Sequence, residues 1–145
     1  MDLENAFKIS ASGLRASRTW LNVISANLAN ANTTRTASGK PYERRTVIYE
    51  SVPSQESFGE ILDGALSEDL QKVRVNAIVP DGRDFKEIYD PSHPDANADG
   101  IVKMPNINSV EEMVNLVMAS RSYEANLAAM STAKQLALKA LEIGR

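Results

Sequence analysis

Every proline of this 145-residue chain lies between positions 41 and 105 (Pro41, Pro53, Pro80, Pro91, Pro94, Pro105), so both ends are free of the residue that most strongly breaks a helix. In the first stretch Phe7, Leu14, Leu21 and Leu28 recur at a strict seven, and Leu3, Ser10, Ser17, Ile24 and Ala31 fill the intervening positions. That is an a/d seam with two small polar gaps. A stripe so narrow suits packing along another long helix better than facing a globular core. About 30 residues reach about 45 Å. Gly13 costs such a helix about 1 kcal/mol relative to Ala, which predicts a weak point before Leu14.

The last stretch opens with Ser109-Val110-Glu111-Glu112, a capping-box pattern in which hydroxyl and carboxylate satisfy orphan amides reciprocally. From there to Ile143 no Gly or Pro intervenes, and Met113, Leu116, Tyr123, Leu127, Met130, Ala137 and Leu141 form a second seam interrupted by Ser120 and Lys134. Glu111 and Glu112 sit in the first turn and Lys139 near the last, the order a helix dipole favours. About 35 residues give a rod of about 52 Å, a match for the first.

The middle is different. Residues 32–108 carry nine basic and thirteen acidic groups, against three and two in residues 1–31 and four of each in 109–145. Residues 42–52 (YERRTVIYESV) and 70–79 (LQKVRVNAIV) are β-branched, aromatic and partly alternating, the pattern of strands. Residues 54–69 fit either a long loop or a short helix around Phe58 to Leu66, and residues 89–108 are turn-rich and extended. The expected fold is α+β: long N- and C-terminal helices paired as a coiled-coil-like hairpin, with a small β-rich module inserted between them. Its parts are 1–35, 36–108 and 109–145. Such helices pair only if the module leaves from one end of the hairpin, and Val23, Ala26, Val114, Val117 and Leu138 then need further partners. A head-to-tail contact that does not close would give a helical filament or tube.

Composition narrows the functions. A net charge of -3 and a pI near 5.2, with Arg44-Arg45 as the only adjacent basic pair, argue against a nucleic-acid surface. Zero Cys excludes disulfide scaffolds and thiolate metal sites and suits a chain that crosses between redox compartments. The start, MDLENAFK, has no apolar h-region, so no cleavable secretory signal is expected. No apolar run approaches the roughly 18 to 20 residues that span a bilayer, and no membrane insertion is expected.

Chemistry-bearing motifs are sparse. Asp95, Asn97, Asp99 and Gly100 match the first half of an EF-hand loop, but its twelfth place is Asn106, which lacks the bidentate carboxylate, and Pro94 and Pro105 flank it. An Asx-rich turn leading into a strand is the stronger reading. His93 is the single His, no nucleophile elbow or phosphate loop is present, and adjacent pairs such as Glu111-Glu112 do not face each other on a helix. No enzyme, cofactor or metal is expected. Met113, Met118 and Met130 read as core filler, and Trp20 and Tyr123 as packing residues with polar tips.

Residues 25–34, SANLANANTT, resist so bland an account. One Asn suffices to end a helix, since Asn tolerates the left-handed region and competes for backbone bonds. Asn22, Ser25, Asn27, Asn30 and Asn32 among small Ala side chains suggest a polar contact that fixes register between packed helices.

SANLANANTTRT (25–36), HPDANADGIVKMPNIN (93–108) and EEMVNLVMASRSYEANLAAMSTAKQLALKALEIGR (111–145) together resemble the flagellar rod and hook protein family. The TTRT ending, the following GKPYERR and the short middle region are most similar to its proximal-rod members. The resemblance implies a structural subunit of the basal body that assembles axially into a helical tube, transmits motor torque across the periplasm and leaves through the flagellar type III export apparatus. Terminal helices would form the inner layer, with the middle module outside. Implied partners are other copies, proximal and distal rod subunits, and the adaptor joining rod to MS ring. Carried onto this chain, the implied assembly determinants are Ser25, Asn27, Ala29, Asn30, Asn32 and Thr33, with Glu112, Met113, Ala119, Arg121, Tyr123, Glu124 and Asn126. From the residues alone, a soluble coiled-coil adaptor without a flagellar role stays open.

Overall fold

The computed structural model describes residues 3–53 and 70–143. Helix α1 spans Leu3–Ala29 and helix α2 spans Ser109–Ile143. Between them lie strands β1 (Arg45–Pro53), β2 (Gln71–Pro80), β3 (Lys86–Tyr89) and β4 (Ile101–Met104). The expected α+β arrangement of two long terminal helices with an antiparallel module between them is what forms. The alternatives of loop or helix for 54–69 fall outside the described residues.

The two helices lie antiparallel in a fixed register. Asn27 bonds Glu112, Ser17 Oγ lies 3.2 Å from Ser122 Oγ, and Gly13 faces Asn126. Ten residues back along α1 match ten forward along α2, and four match four. Gly13 does not interrupt α1. A Cβ there would lie 2.4 Å from Asn126 Oδ1, so the missing side chain is what lets α2 approach.

Of the two heptad columns expected in each helix, one is right and the other is displaced by one residue. In α1 the buried positions include Ser10, Ser17 and Ile24, as expected, but Gly13 and Asn27 replace Leu14 and Leu28 on the facing side. In α2 the half-buried Leu116, Tyr123 and Met130 hold their places, while Glu112, Ala119 and Ala133 are buried and Met113, Leu127 and Leu141 stand at least half exposed. Small residues allow close backbone approach, and a buried polar pair must face inward to be satisfied. The leucine row is left on the flank, half-buried. The reading of the methionines as core filler therefore fails for Met113 and Met118, both more than half exposed. Val23, expected to need an outside partner, is buried within the chain.

The cap of α2 also differs. Asn108, not Ser109, closes it: its Oδ1 accepts from Val110 N at 3.1 Å, while its carbonyl accepts from Glu112 N at 2.9 Å. The Glu112 carboxylate that a capping box would turn back to the helix start is engaged elsewhere.

The module leaves from the end of α1, and β1 then runs back alongside that helix instead of standing clear. Arg45 bonds Asn27, Tyr49 meets Trp20 edge to face at 6.5 Å, and Val73 N on β2 donates to Ser12 Oγ at 3.2 Å. β1 and β2 pair antiparallel with a bulge at Ile48/Tyr49, and β3 pairs antiparallel with β4. Strand β3 is not among the expected elements: it forms just ahead of the turn-rich stretch and shares only Tyr89 with it, while β4 lies inside that stretch as the strand expected after the Asx-rich turn. Ordering of β1 begins at Arg45 and not at residue 42, because Tyr42 N is used by Thr33 O and Arg44 N by Asn106 Oδ1.

Candidate assembly site

The end of α1, the loop after it and the start of α2 converge on one polar junction. Asn27 is fully buried, and a carboxamide has two donors and two acceptor positions to fill. Its Nδ2 donates to Arg45 O and to Glu112 Oε2, each at 2.9 Å. Its Oδ1 accepts from Arg45 N at 3.0 Å and from the Tyr42 hydroxyl at 3.2 Å. All four positions are taken within the chain, which answers what the asparagine run does at this place: Asn27 pins helix to helix and helix to strand.

Glu112 is likewise fully buried. Arg44 sets Nε and a terminal nitrogen on its Oε1 at 2.9 and 2.7 Å, leaving Oε2 for Asn27. Asn115 adds a longer contact to Oε1 at 3.4 Å. The other terminal nitrogen of Arg44 reaches Asp81 Oδ2 at 3.0 Å, and Arg83 bridges Asp81 at 2.9 Å to Glu111 at 3.0 Å. Asn106 locks the rim, accepting from Arg44 N and donating to the carbonyls of Asp81 and Arg83. A buried ion pair persists only when its remaining hydrogen-bonding positions are filled, and here they are.

Electrostatics follow from these contacts. Burial would raise the Asp81 carboxyl, but hydrogen bonds from Arg83 and Arg44, together with the Arg83 charge, hold it below the ordinary carboxylate value. Arg83 is raised, first by its bonds to Glu111. Tyr42 is raised chiefly by burial, in keeping with a neutral hydroxyl that donates to Asn27.

The other expected determinants separate into groups. Asn30 closes α1, its amide Nδ2 on Ala26 O at 2.9 Å and its Oδ1 accepting from Thr33 Oγ1 at 3.2 Å. Asn126 packs over Gly13 and donates to Ser122 O at 2.8 Å. Ala119 is buried and Tyr123 half-buried. Ser25, Ala29, Asn32, Met113, Arg121 and Glu124 face solvent. The junction thus collects Asn27 and Glu112, and adds Tyr42, Arg44, Asp81 and Asn106, which sequence reasoning missed. The signal available was Tyr42 and Arg44 within GKPYERR, a short loop that must turn the chain from α1 into β1.

The Asp95–Gly100 loop behaves as an Asx-rich turn. Asn97 Oδ1 accepts from Asp99 N at 3.0 Å and Ile101 N at 2.8 Å, and Asp95 accepts from Thr34 Oγ1 at 2.7 Å. Its oxygens hold the loop closed and tie it to the end of α1. Among the described residues no group of three or more His, Cys, Asp or Glu is placed to hold a metal ion, and no helix is long and apolar enough to cross a membrane.

On the outer face of α2, Val110, Met113, Val114, Val117 and Met118 are each more than half exposed. A long helix pair pinned by a buried polar junction, with apolar side chains left outside, is the form of a structural protein.

Comparison with known proteins agrees. Residues 7–35 match the family described as flagella basal body rod protein, and residues 98–143 match the flagellar basal body rod FlgEFG protein C-terminal family. The chain is 44% identical to the flagellar basal-body rod protein FlgC of Bacillus subtilis (strain 168), over 97% of both chains. It is 37% identical to that of Salmonella typhimurium (strain LT2), over the whole of both chains. The FlgC protein of Aquifex aeolicus (strain VF5) is 40% identical over 94% of this chain and 92% of its own. The chain belongs to the FlgC family of flagellar basal-body rod proteins. Membership makes it a structural component of the basal body that associates with other rod components, and not an enzyme.

Proposed function

We propose that the chain is an axial subunit of the proximal rod that assembles into a helical tube and transmits motor torque across the periplasm. Its partners are other copies, the proximal and distal rod subunits and the adaptor to the MS ring. It reaches them through the flagellar type III export apparatus. The parts 1–35 and 109–145 form the inner, helical layer and 36–108 the outer module. The observation that carries this reading is the outer face of α2, where Val110, Met113 and Val114 are 70%, 57% and 55% exposed on a single chain. Exposed apolar rows of this kind mark surfaces that a partner covers.

Among the expected determinants, Ser25, Ala29, Asn32, Met113, Arg121 and Glu124 would touch neighbours directly. Asn27, Glu112 and Ala119 would act from inside, by holding the two helices in the register that presents those side chains. The test is complementation of a flagellated host lacking its own copy. Basal bodies should stop at the ring stage without the chain and recover rod and hook with it; hooks that persist in its absence would overturn the reading.

A further inference from the structure

Each of the four strands has one outer edge, and three of these edges are guarded. On β1 the outward N–H and C=O of Arg45 are both taken by the Asn27 carboxamide. On β2 the outward N–H of Val73 goes to Ser12 Oγ, and the strand ends in Pro80, which has no N–H to offer. On β4 both outward groups of Ile101 are taken by Asn97: the N–H by its Oδ1 at 2.8 Å and the C=O by its N–H at 3.0 Å. An unpaired edge is a template for another strand, and folded proteins close their edges in such ways.

The outer edge of β3 is left open. Asp90 N donates to Gly100 O at 2.9 Å, which fixes the phase of the ladder. Ile88 with Val102 and Lys86 with Met104 are then the hydrogen-bonded pairs, and Glu87 and Tyr89 turn their N–H and C=O away from β4. The bonds of Ile101 to Asn97 agree, since Ile101 stands opposite Tyr89 in the register. None of the four outward groups of Glu87 and Tyr89 has a hydrogen-bond partner among the described residues. All four residues of β3 are exposed, and β3 packs against β4 and no other described helix or strand. The Tyr89 ring is seated all the same: a Cβ on Gly100 would lie 3.0 Å from its Cε2, yet the residue is 74% exposed. A two-stranded ribbon is marginal by itself, and a third strand completes it.

Two N–H and C=O pairs at a spacing of two residues are matched by one kind of ligand, an extended peptide backbone. A second copy does not supply it. Its other strand edges are guarded, and β3 against β3 uses one surface on both sides, which closes a two-fold pair and cannot build an axial tube. We propose that the outer edge of β3 takes up an extended segment of another rod component as a third strand, with an apolar side chain of that segment against Tyr89. This rests on the rod-subunit reading above.

Because the Glu87 N–H points outward, Glu87→Pro removes an edge donor, sets its ring where the incoming carbonyl would lie, and leaves the β3–β4 ladder bonds in place. The isolated full-length variant should melt like the native chain, and its incorporation into basal bodies should fall at least tenfold. Glu87→Ala keeps the N–H and should incorporate like the native chain. Normal incorporation of Glu87→Pro, or an equal loss in Glu87→Ala, would overturn the inference. Hydrogen exchange of the native sequence tests it without a substitution: the amides of Glu87 and Tyr89 should exchange at least a hundredfold more slowly in isolated basal bodies than in the free chain, and equal rates count against it. A photo-reactive benzoylphenylalanine at Tyr89 should join the chain to a different rod protein in those basal bodies. A product of two copies, or a link closed within one chain, overturns the proposal. Each of these failures leaves the rod reading intact, whereas absence of the native-sequence chain from basal bodies would overturn both.

Discussion

The Asn27 carboxamide and the Glu112 carboxylate, 85 residues apart in the chain, meet at 2.9 Å with neither side chain exposed. Asn27→Ala strands the Arg45 amide and carbonyl, the Tyr42 hydroxyl and one Glu112 oxygen at once. A buried polar group without a partner costs about 1–3 kcal/mol, and partial relaxation keeps the sum from being additive. The expected loss is about 3 kcal/mol in the urea unfolding of the isolated chain. A loss under about 1 kcal/mol would mean the junction is not formed in the free subunit. Asn27→Asp should cost more, because it sets a second carboxylate against Glu112.

Gly13 and Asn126 should be coupled. Glycine in a helix interior is about 1 kcal/mol worse than alanine, yet a Cβ at 13 lies 2.4–2.9 Å from the Asn126 amide atoms. Gly13→Ala should therefore gain about 1 kcal/mol in an Asn126→Ala background and nothing, or a loss, in the native one. Thermal unfolding of the native chain and the three variants of the cycle measures the difference, and additivity would refute a shared contact.

These two positions also explain how far the sequence could be read. Proline placement and heptad spacing indicate two long terminal helices and their pairing, because both depend on local propensity and period. The facing columns were misjudged because hydrophobic periodicity ranks Leu14 above Gly13 and Leu28 above Asn27. The helices instead meet where side chains are smallest and where Glu112 and Asn27 can satisfy one another. Arg44, Asp81 and Asn106 were illegible for another reason: their bonds reach 68, 37 and 62 residues along the chain, distances over which spacing carries no information. The cap at Asn108 was missed because Ser109 and Glu112 satisfied a local pattern whose carboxylate the tertiary junction had claimed.

Asp81 predicts an acid response. Its carboxyl is held below the unfolded value of 3.8, so the stability it supplies is complete above that value and is lost as pH falls through the lower folded value. The native chain should therefore lose stability across that window, and Asp81→Asn should start lower at neutral pH and fall less steeply within it. Equal slopes in urea titrations from pH 5 downward would remove Asp81 as a contributor.

Val117 offers the sharpest separation of fold from assembly. Its side chain is 54% exposed and lies on the far side of α2 from the seam, so Val117→Glu removes little burial. Substitutions at such positions usually change stability by no more than about 0.5 kcal/mol. If the outer row is covered only in the assembled rod, the isolated variant should melt like the native chain, yet its incorporation into basal bodies should fall at least tenfold. A carboxylate pressed into an apolar contact without a partner accounts for that asymmetry, since the cost appears only when a neighbour excludes water. Normal incorporation with unchanged melting would show that this face of α2 stays open in the rod.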